Sequence, residues 1–171
     1  MNTATEQAHQ DFGPSFQDLF AYNQSETARW QRWLEANPGA LEIVVGGVHA
    51  ETVRNLVTHI FKAELFLTSS LLNEEFPKSA AASVSTLDEI FALHAQASER
   101  VVRFMQAMSS EELTQTQEFK FKPGFVVSKS KLLTQFFLHG VHHWAQIALL
   151  VRQAGFPSDG PHDFILSSVI E

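Results

Sequence analysis

Three histidines near the end of the chain have the type and spacing to bind a metal ion. They lie in FFLHGVHHWAQIALLVRQAGF, residues 136–156. On a helix, His139 and His143 are one turn apart, with roughly 5 to 6 Å between their Cβ atoms, which lets two imidazoles share one ion. His142 points to the other side of the helix, so we do not expect it to be a ligand.

The apolar residues around these histidines define the face that a metal would occupy. His143 is predicted at the centre of that face and His139 at its near edge. Two imidazoles packed in a core each need a partner and are hard to protonate there, and one metal ion satisfies both. The alternative is a pair of ordinary, hydrogen-bonded core histidines. The predicted face consists of Leu132, Phe136, Ile147, Leu150 and Ala154.

A second amphipathic segment, HAETVRNLVTHIFKAELFLTSSLL, residues 49–72, supplies the candidate third ligand. His59 lies at the edge of its apolar face near mid-length, where it can meet the other two histidines. His49 is ten residues earlier, which is roughly 15 Å along a helix and too far to share the ion. The predicted core positions are Val53, Leu56, Ile60, Ala63, Leu67 and Leu71.

The other histidines are predicted to have no part in the site. His94 is expected at the margin of the third helix, and His9 and His162 are expected to be solvated because they lie near the ends of the chain. The candidate metal ligands are therefore His59, His139 and His143.

Periodicity and end signals predict four long helices. The first begins at Pro14 or Ser15 and ends at Asn37, and the third is capped by Ser85 or Thr86. The last begins at Ser128 or Ser130 and is stopped by Gly155. These four helices predict an all-α four-helix bundle, whose interior is a common place for metal sites.

Shorter segments connect the predicted helices. Residues 41–47 are expected to be an extended connector and residues 77–85 a loop, and Ser109 with Glu112 predicts the capping box of one short turn. Alternating apolar residues around Pro123 and Gly124 predict a small β-hairpin before the last helix.

Composition restricts the class of protein. The 171 residues, 44% of them hydrophobic, predict one domain over residues 1–171, with residues 1–12 as a flexible tail. The absence of cysteine excludes thiolate metal sites and cysteine nucleophiles. A formal charge of −7 without a basic cluster argues against nucleic acid and anionic membranes as partners. No apolar run approaches ~18 residues and the N-terminus lacks a basic start, so we expect a cytoplasmic protein.

Together these motifs resemble the DinB and YfiT-like metal-binding four-helix bundles. The family pattern has a histidine in the second helix with a glutamate five residues later, as in THIFKAE, His59 to Glu64. It then has two histidines four apart before a glutamine, as in HGVHHWAQ, His139 to Gln146. LFAYN near the start, the VGGVHAETVRNLVTH segment and the closing DFI extend the resemblance over nearly the whole chain.

The resemblance also implies roles for residues around the metal. Glu64, Gln146 and Asp163 are candidates to orient the imidazoles through hydrogen bonds, although each can equally be an ordinary surface or capping residue. Tyr22 and Asn23 are expected at the mouth of the pocket.

The chain departs from the family pattern at two positions. Trp144 and Ala145 stand where arginine and glycine are usual. Their bulk is expected to narrow access to the metal or to change the substrate.

Three neutral imidazoles on one divalent ion form an open site, and zinc or nickel suits nitrogen ligands. Such an ion makes hydroxide from water at neutral pH or ionises a thiol. The resemblance implies a thiol-dependent S-transferase or a metal-assisted hydrolase acting on a small molecule, and a homodimer. The alternative is a non-catalytic, stress-associated module that binds a metal or ligand without converting it.

Overall fold

Four long helices form the body of the protein, and a two-stranded sheet precedes the last of them. The computed structural model describes residues 14–46, 50–81, 83–120, 122–157 and 160–169. This architecture confirms the predicted all-α bundle with a small hairpin. The long helices are α1 (Phe16–Ala36), α2 (Val53–Leu71), α4 (Leu87–Ala107) and α6 (Lys129–Gln153). The tail predicted for residues 1–12, with His9, and the position of His49 lie outside the described residues.

Side-chain caps specify where the helices begin. In a capping box, the side chain before the helix accepts a hydrogen bond from the third helical N–H, and the third side chain accepts one in return. The Ser109 box opens α5 (Ser110–Thr114) as predicted, and Ser128 caps α6. The boxes of α1, α2 and α4 pair Ser15 with Asp18, Thr52 with Asn55 and Thr86 with Glu89.

The connectors contain more structure than the sequence predicted. The segment expected to be extended from residue 41 begins inside a 3-10 helix, Pro38–Glu42, because a proline in its first turn favours a helical start and Leu41 is buried against the core. The predicted loop at 77–85 contains a short helix, α3 (Lys78–Ala81). The predicted hairpin is present as β1 (Thr116–Glu118) antiparallel to β2 (Val126–Ser128).

Helix α2 is the centre of the bundle, because it packs against α4 on one side and α6 on the other. Its buried side chains include Ile60, Phe61 and Leu65, which are fully covered. At about 25 cal/mol per Å² of apolar surface, burying one such side chain stabilises the fold by roughly 1.5–3 kcal/mol. Helix α2 therefore holds any side chain on its surface in a fixed position relative to both neighbours.

The buried face of α6 is rotated by roughly 60° from the predicted one, at about 100° per residue. Trp144 and Phe137 fill the interior, whereas Ala154 is exposed and Leu150 only half-buried. Large aromatic side chains bury more apolar surface than Ala154 or Leu150, and this decides the orientation. His143 consequently lies at the edge of the buried face and not at its centre.

Among the described residues, no helix combines the length and the hydropathy that a membrane-spanning segment needs.

Candidate metal centre

The three histidines selected from the sequence meet at one place between α2 and α6. One ring nitrogen of each lies within 4.8 Å of those of the other two. The ring centroids are 4.9 Å apart for His59 and His143, 5.1 Å for His59 and His139, and 4.5 Å for His139 and His143. All three residues are half-buried, so the cluster is partly covered by protein but still accessible to solvent.

The state of His139 fits a metal site. Its Nδ1 atom is buried and has no hydrogen-bond partner, whereas buried polar atoms are normally paired. Burial lowers the pKa of His139 from 6.5 to about 4, with smaller contributions from His143, His59 and His142. The imidazole is therefore neutral at physiological pH, and neutral imidazole is the form that binds metals.

Gln146 fixes the orientation of His143. The Oε1 atom of Gln146 lies 2.7 Å from Nδ1 of His143, and a carboxamide oxygen can only accept, so Nδ1 carries the proton. The lone pair of His143 is then on Nε2, which is free of that proton and suited to an ion. Gln146 also contacts His142, at 3.3 Å, on the exposed side of α6.

The amino-acid sequence matches that of a known protein family. The sequence profile of the DinB family matches residues 1–162. The chain belongs to the DinB family. A search of curated proteins found no match to this chain.

The pKa of His139 gives this DinB-family protein a testable pH dependence in its metal-free form. The unfolded chain takes up the proton near pH 6.5 and the folded chain only near pH 4. The unfolded state therefore binds more protons across this interval, and the free energy of unfolding should fall as the pH drops through it. Urea unfolding with a chelator between pH 4 and 8 measures this slope.

A matched pair of variants isolates the contribution of His139. We expect the free energy of unfolding of His139→Gln to fall less steeply with decreasing pH than that of the wild type, because glutamine does not titrate. His142→Gln, on the exposed side of the same helix, should keep the wild-type slope. If both variants decline like the wild type, the slope does not come from the burial of His139.

The predictions for Glu64 and His94 are both wrong, because the two residues pair with each other inside the bundle. Glu64 is fully buried, and its Oε2 atom lies 2.7 Å from Nδ1 of His94, so it orients an imidazole of α4 that was not expected inside the bundle. His94 is only 7% exposed and is not at the margin of its helix. Glu64 follows His59 by five residues, or roughly 140° around α2, and therefore faces α4 where His59 faces α6.

The Nε2 atom of His94 extends this contact into a polar network that joins α1, α2 and α4. Its Nε2 atom lies 3.1 Å from Nε2 of Gln24 on α1 and 3.2 Å from Oγ of Ser98. The spacing of Ile90, His94 and Val101 on one helical face is the sequence signal that could have placed His94 in the core.

Tyr22, Asn23 and Asp163 lie around a different cavity from the one expected. They line a space of about 650 Å³, the tryptophan cavity, between α1, α6, Pro157 and residues 160–164. The cavity that includes His59 and His139, the histidine cavity, lies on another side of α6 and has neither Tyr22, Asn23 nor Asp163 in its wall. The prediction that Tyr22 and Asn23 sit at the mouth of the metal pocket is wrong. Helix α6 separates these residues from the histidines.

His162 was expected in solvent and is instead partly buried in the tryptophan cavity. Its Nδ1 atom is 2.6 Å from Oε2 of Glu26, and its ring stacks on Trp30 at 4.8 Å. The hydroxyl of Tyr22 donates to the His162 carbonyl at 2.6 Å. Burial, followed by Glu26 and Asp163, raises the pKa of Tyr22, so this hydroxyl stays protonated as a donor.

The residues that depart from the family pattern do not narrow the histidine cavity. Trp144 is 7% exposed and stacks on Trp30 at 5.1 Å with an interplanar angle of 8°. Ala145 is exposed on the outer side of α6. Both line the tryptophan cavity, because their positions on the helix turn them away from His139 and His143.

Proposed function

We propose that this DinB-family protein binds one divalent ion through His59, His139 and His143 and uses it as a thiol-dependent S-transferase or a metal-assisted hydrolase on a small molecule. The observation that carries the proposal is the convergence of three ring nitrogens within 4.8 Å from two packed helices. The unpartnered Nδ1 of His139 supports it, because an ion or its bound water satisfies a polar atom that the protein leaves alone.

Three neutral ligands favour a catalytic over a structural site. Structural sites usually close all four positions with protein ligands, whereas three histidines leave a position for water or substrate. Zinc or nickel would supply a Lewis acid there that lowers the pKa of a bound water or thiol. The protein positions the ligands: Gln146 orients the ring of His143, and the packing of α2 against α6 sets the distance between His59 and His143.

A cavity adjoins this cluster, as catalysis requires. The histidine cavity has a volume of about 680 Å³ and includes His59 and His139 in its wall. That volume is within the usual range for small-molecule sites, roughly 300–1,000 Å³.

Metal analysis of the purified protein tests the first half of the proposal. We expect about one zinc or nickel ion per chain in the wild type, and close to none in His59→Ala and His143→Ala because each removes a ligand. His142→Ala is the matched control and should keep its ion. Loss of the ion in His142→Ala alone would contradict the proposed ligand set.

An activity assay tests the second half. The metal-loaded protein should consume a low-molecular-weight thiol together with an electrophile, or hydrolyse a simple ester or amide, and His59→Ala should not. Metal binding without turnover across these substrates would favour the non-catalytic module. The cytoplasmic location stays a prediction.

We also propose that the protein is a homodimer. The outer side of α6 exposes Leu138, Val141 and Leu149 at 58%, 50% and 49%, and large exposed apolar side chains along one helix are typical of an interface. Val141→Lys should shift the mass measured by light scattering from dimer to monomer. Val126→Lys, at a 61% exposed position of β2, is the control and should remain dimeric. A monomeric wild type would exclude the dimer.

A further inference from the structure

The histidine cavity is apolar and aromatic at the end away from the metal ligands. Phe66 of α2 contacts Phe119 edge-on, with ring centroids 5.7 Å apart, and Phe119 contacts Phe125 at 6.3 Å. Phe76 also lines this cavity. These four side chains are the phenylalanine cluster. Each is partly exposed, with Phe125 at 38%, because the cluster surrounds a space without filling it.

The hairpin holds the phenylalanine cluster in place. The backbone N–H of Phe119 donates to the carbonyl of Phe125 at 2.7 Å, which holds the residue after β1 against the residue before β2. Val127 of β2 is buried and lines the same end. Phe66 lies on α2, and Phe119 and Phe125 directly follow β1 and precede β2, so the folded chain forms this apolar surface before any ligand binds.

The ionisable groups of the cavity wall are all basic. Lys62 of α2 and Lys131 of α6 line the cavity together with His59 and His139, and the described lining residues include no aspartate or glutamate. The whole chain carries a formal charge of −7, so a wall without a carboxylate is a local exception. Lys131 places its ammonium 5.7 Å from the centroid of the Phe125 ring, which joins a positive charge to the aromatic end.

The dimensions of the cavity suit an elongated molecule. His59 and Leu67, which both line it, are eight residues apart on α2, or roughly 12 Å along the helix. A ligand of this length reaches from the metal ligands to the phenylalanine cluster.

We propose that the histidine cavity binds an amphipathic anion, with its apolar body against the phenylalanine cluster and its anionic group beside Lys62 and Lys131. The inference deepens the proposed function and rests on it for the role of the metal, since it names the substrate class as small apolar molecules with a negative charge. The aromatic surface would bind the apolar body of the ligand, and the ammonium groups of the two lysines would favour a ligand with a negative charge.

Three ligands with one apolar body and different charges test the inference: 4-phenylbutyrate, 4-phenylbutanol and 4-phenylbutylamine. Calorimetric titration is done on the zinc-loaded protein and on protein stripped with a chelator. We expect phenylbutyrate to bind about tenfold more tightly than the alcohol, a difference of roughly 1.4 kcal/mol. The amine should bind most weakly, because the lysines repel it. The preference should appear with and without zinc.

Variants separate the two parts of the cavity. The double variant Lys62→Gln/Lys131→Gln should reduce the preference for the anion to less than about threefold and leave the affinity for the alcohol unchanged. Lys78→Gln, an exposed lysine outside the cavity, is the matched control. Phe119→Ala should weaken the binding of all three ligands by a similar factor. If circular dichroism shows that Phe119→Ala is misfolded, Phe125→Ala, at a more exposed position, replaces it in the same measurement.

The outcomes distinguish this inference from the proposed function. Equal affinities for the three ligands, or a preference that survives in the double lysine variant, would overturn the inference. Phenylbutyrate that binds only in the presence of zinc would place the anion on the metal, which also overturns it and leaves the metal site intact. A protein that binds no zinc but keeps a lysine-dependent preference would support the inference and overturn the proposed function.

Discussion

Replacing Glu64 by leucine is expected to destabilise the protein by about 1–3 kcal/mol, which is typical when a buried polar group loses its hydrogen-bond partner. The carboxylate is completely covered and lies 2.7 Å from Nδ1 of His94. Leucine would fill similar space but would leave Nδ1 of His94 without its partner inside the bundle. Urea unfolding at neutral pH measures the loss.

A double-variant cycle shows whether the loss belongs to the pair. Glu64→Leu/His94→Leu should cost less than the sum of the single variants, because the double variant leaves no unpaired polar ring. Glu74→Leu is the matched control: Glu74 pairs with Arg100 and Arg103 at the surface, where such contacts contribute about 1 kcal/mol or less. If Glu64→Leu costs no more than Glu74→Leu, the buried pair does not stabilise the fold.

Metal binding is expected to raise the free energy of unfolding by about 4 kcal/mol when the free ion is present at a thousand times its dissociation constant. The three rings meet only when α2 and α6 are packed, so the ion binds the folded chain in preference to the unfolded one. For a chain of this size the effect corresponds to an increase of roughly 8–16 °C in melting temperature. Thermal unfolding with zinc and with a chelator measures it.

The ligand variants provide the comparison for this stabilisation. His139→Ala and His143→Ala should show little difference between zinc and chelator, whereas His142→Ala should respond like the wild type. An equal response of His143→Ala and the wild type would mean that the stabilising ion binds elsewhere.

The sequence predicted the elements well because their signals are local. A cap such as Thr86 with Glu89 depends on four consecutive residues, and the pair at His139 and His143 needs only the pitch of a helix. The third histidine, His59, could be predicted because a residue near the middle of one helix in a bundle meets the middle of a helix packed against it. The site therefore followed from spacing and from the expected fold.

The errors arose where the packing of several helices decides the outcome. His94 was placed at a margin because nothing adjacent in the chain shows that a buried carboxylate, Glu64, will meet it from another helix. Trp144 was assigned to the metal pocket by its proximity to His143 in sequence, yet one residue is roughly 100° around a helix and turns it to Trp30. Which side of a helix faces which neighbour depends on side-chain volumes across the whole core.

The capping boxes indicate that the helices form without a metal ion. Four helices take their starting points from neighbouring side chains, and the apolar core between α2 and α4 forms without the metal ligands. The bundle is thus specified by residues other than the three histidines, and a metal ion bound at them would add to a chain that is already folded. Such an ion would be exchangeable without unfolding the protein.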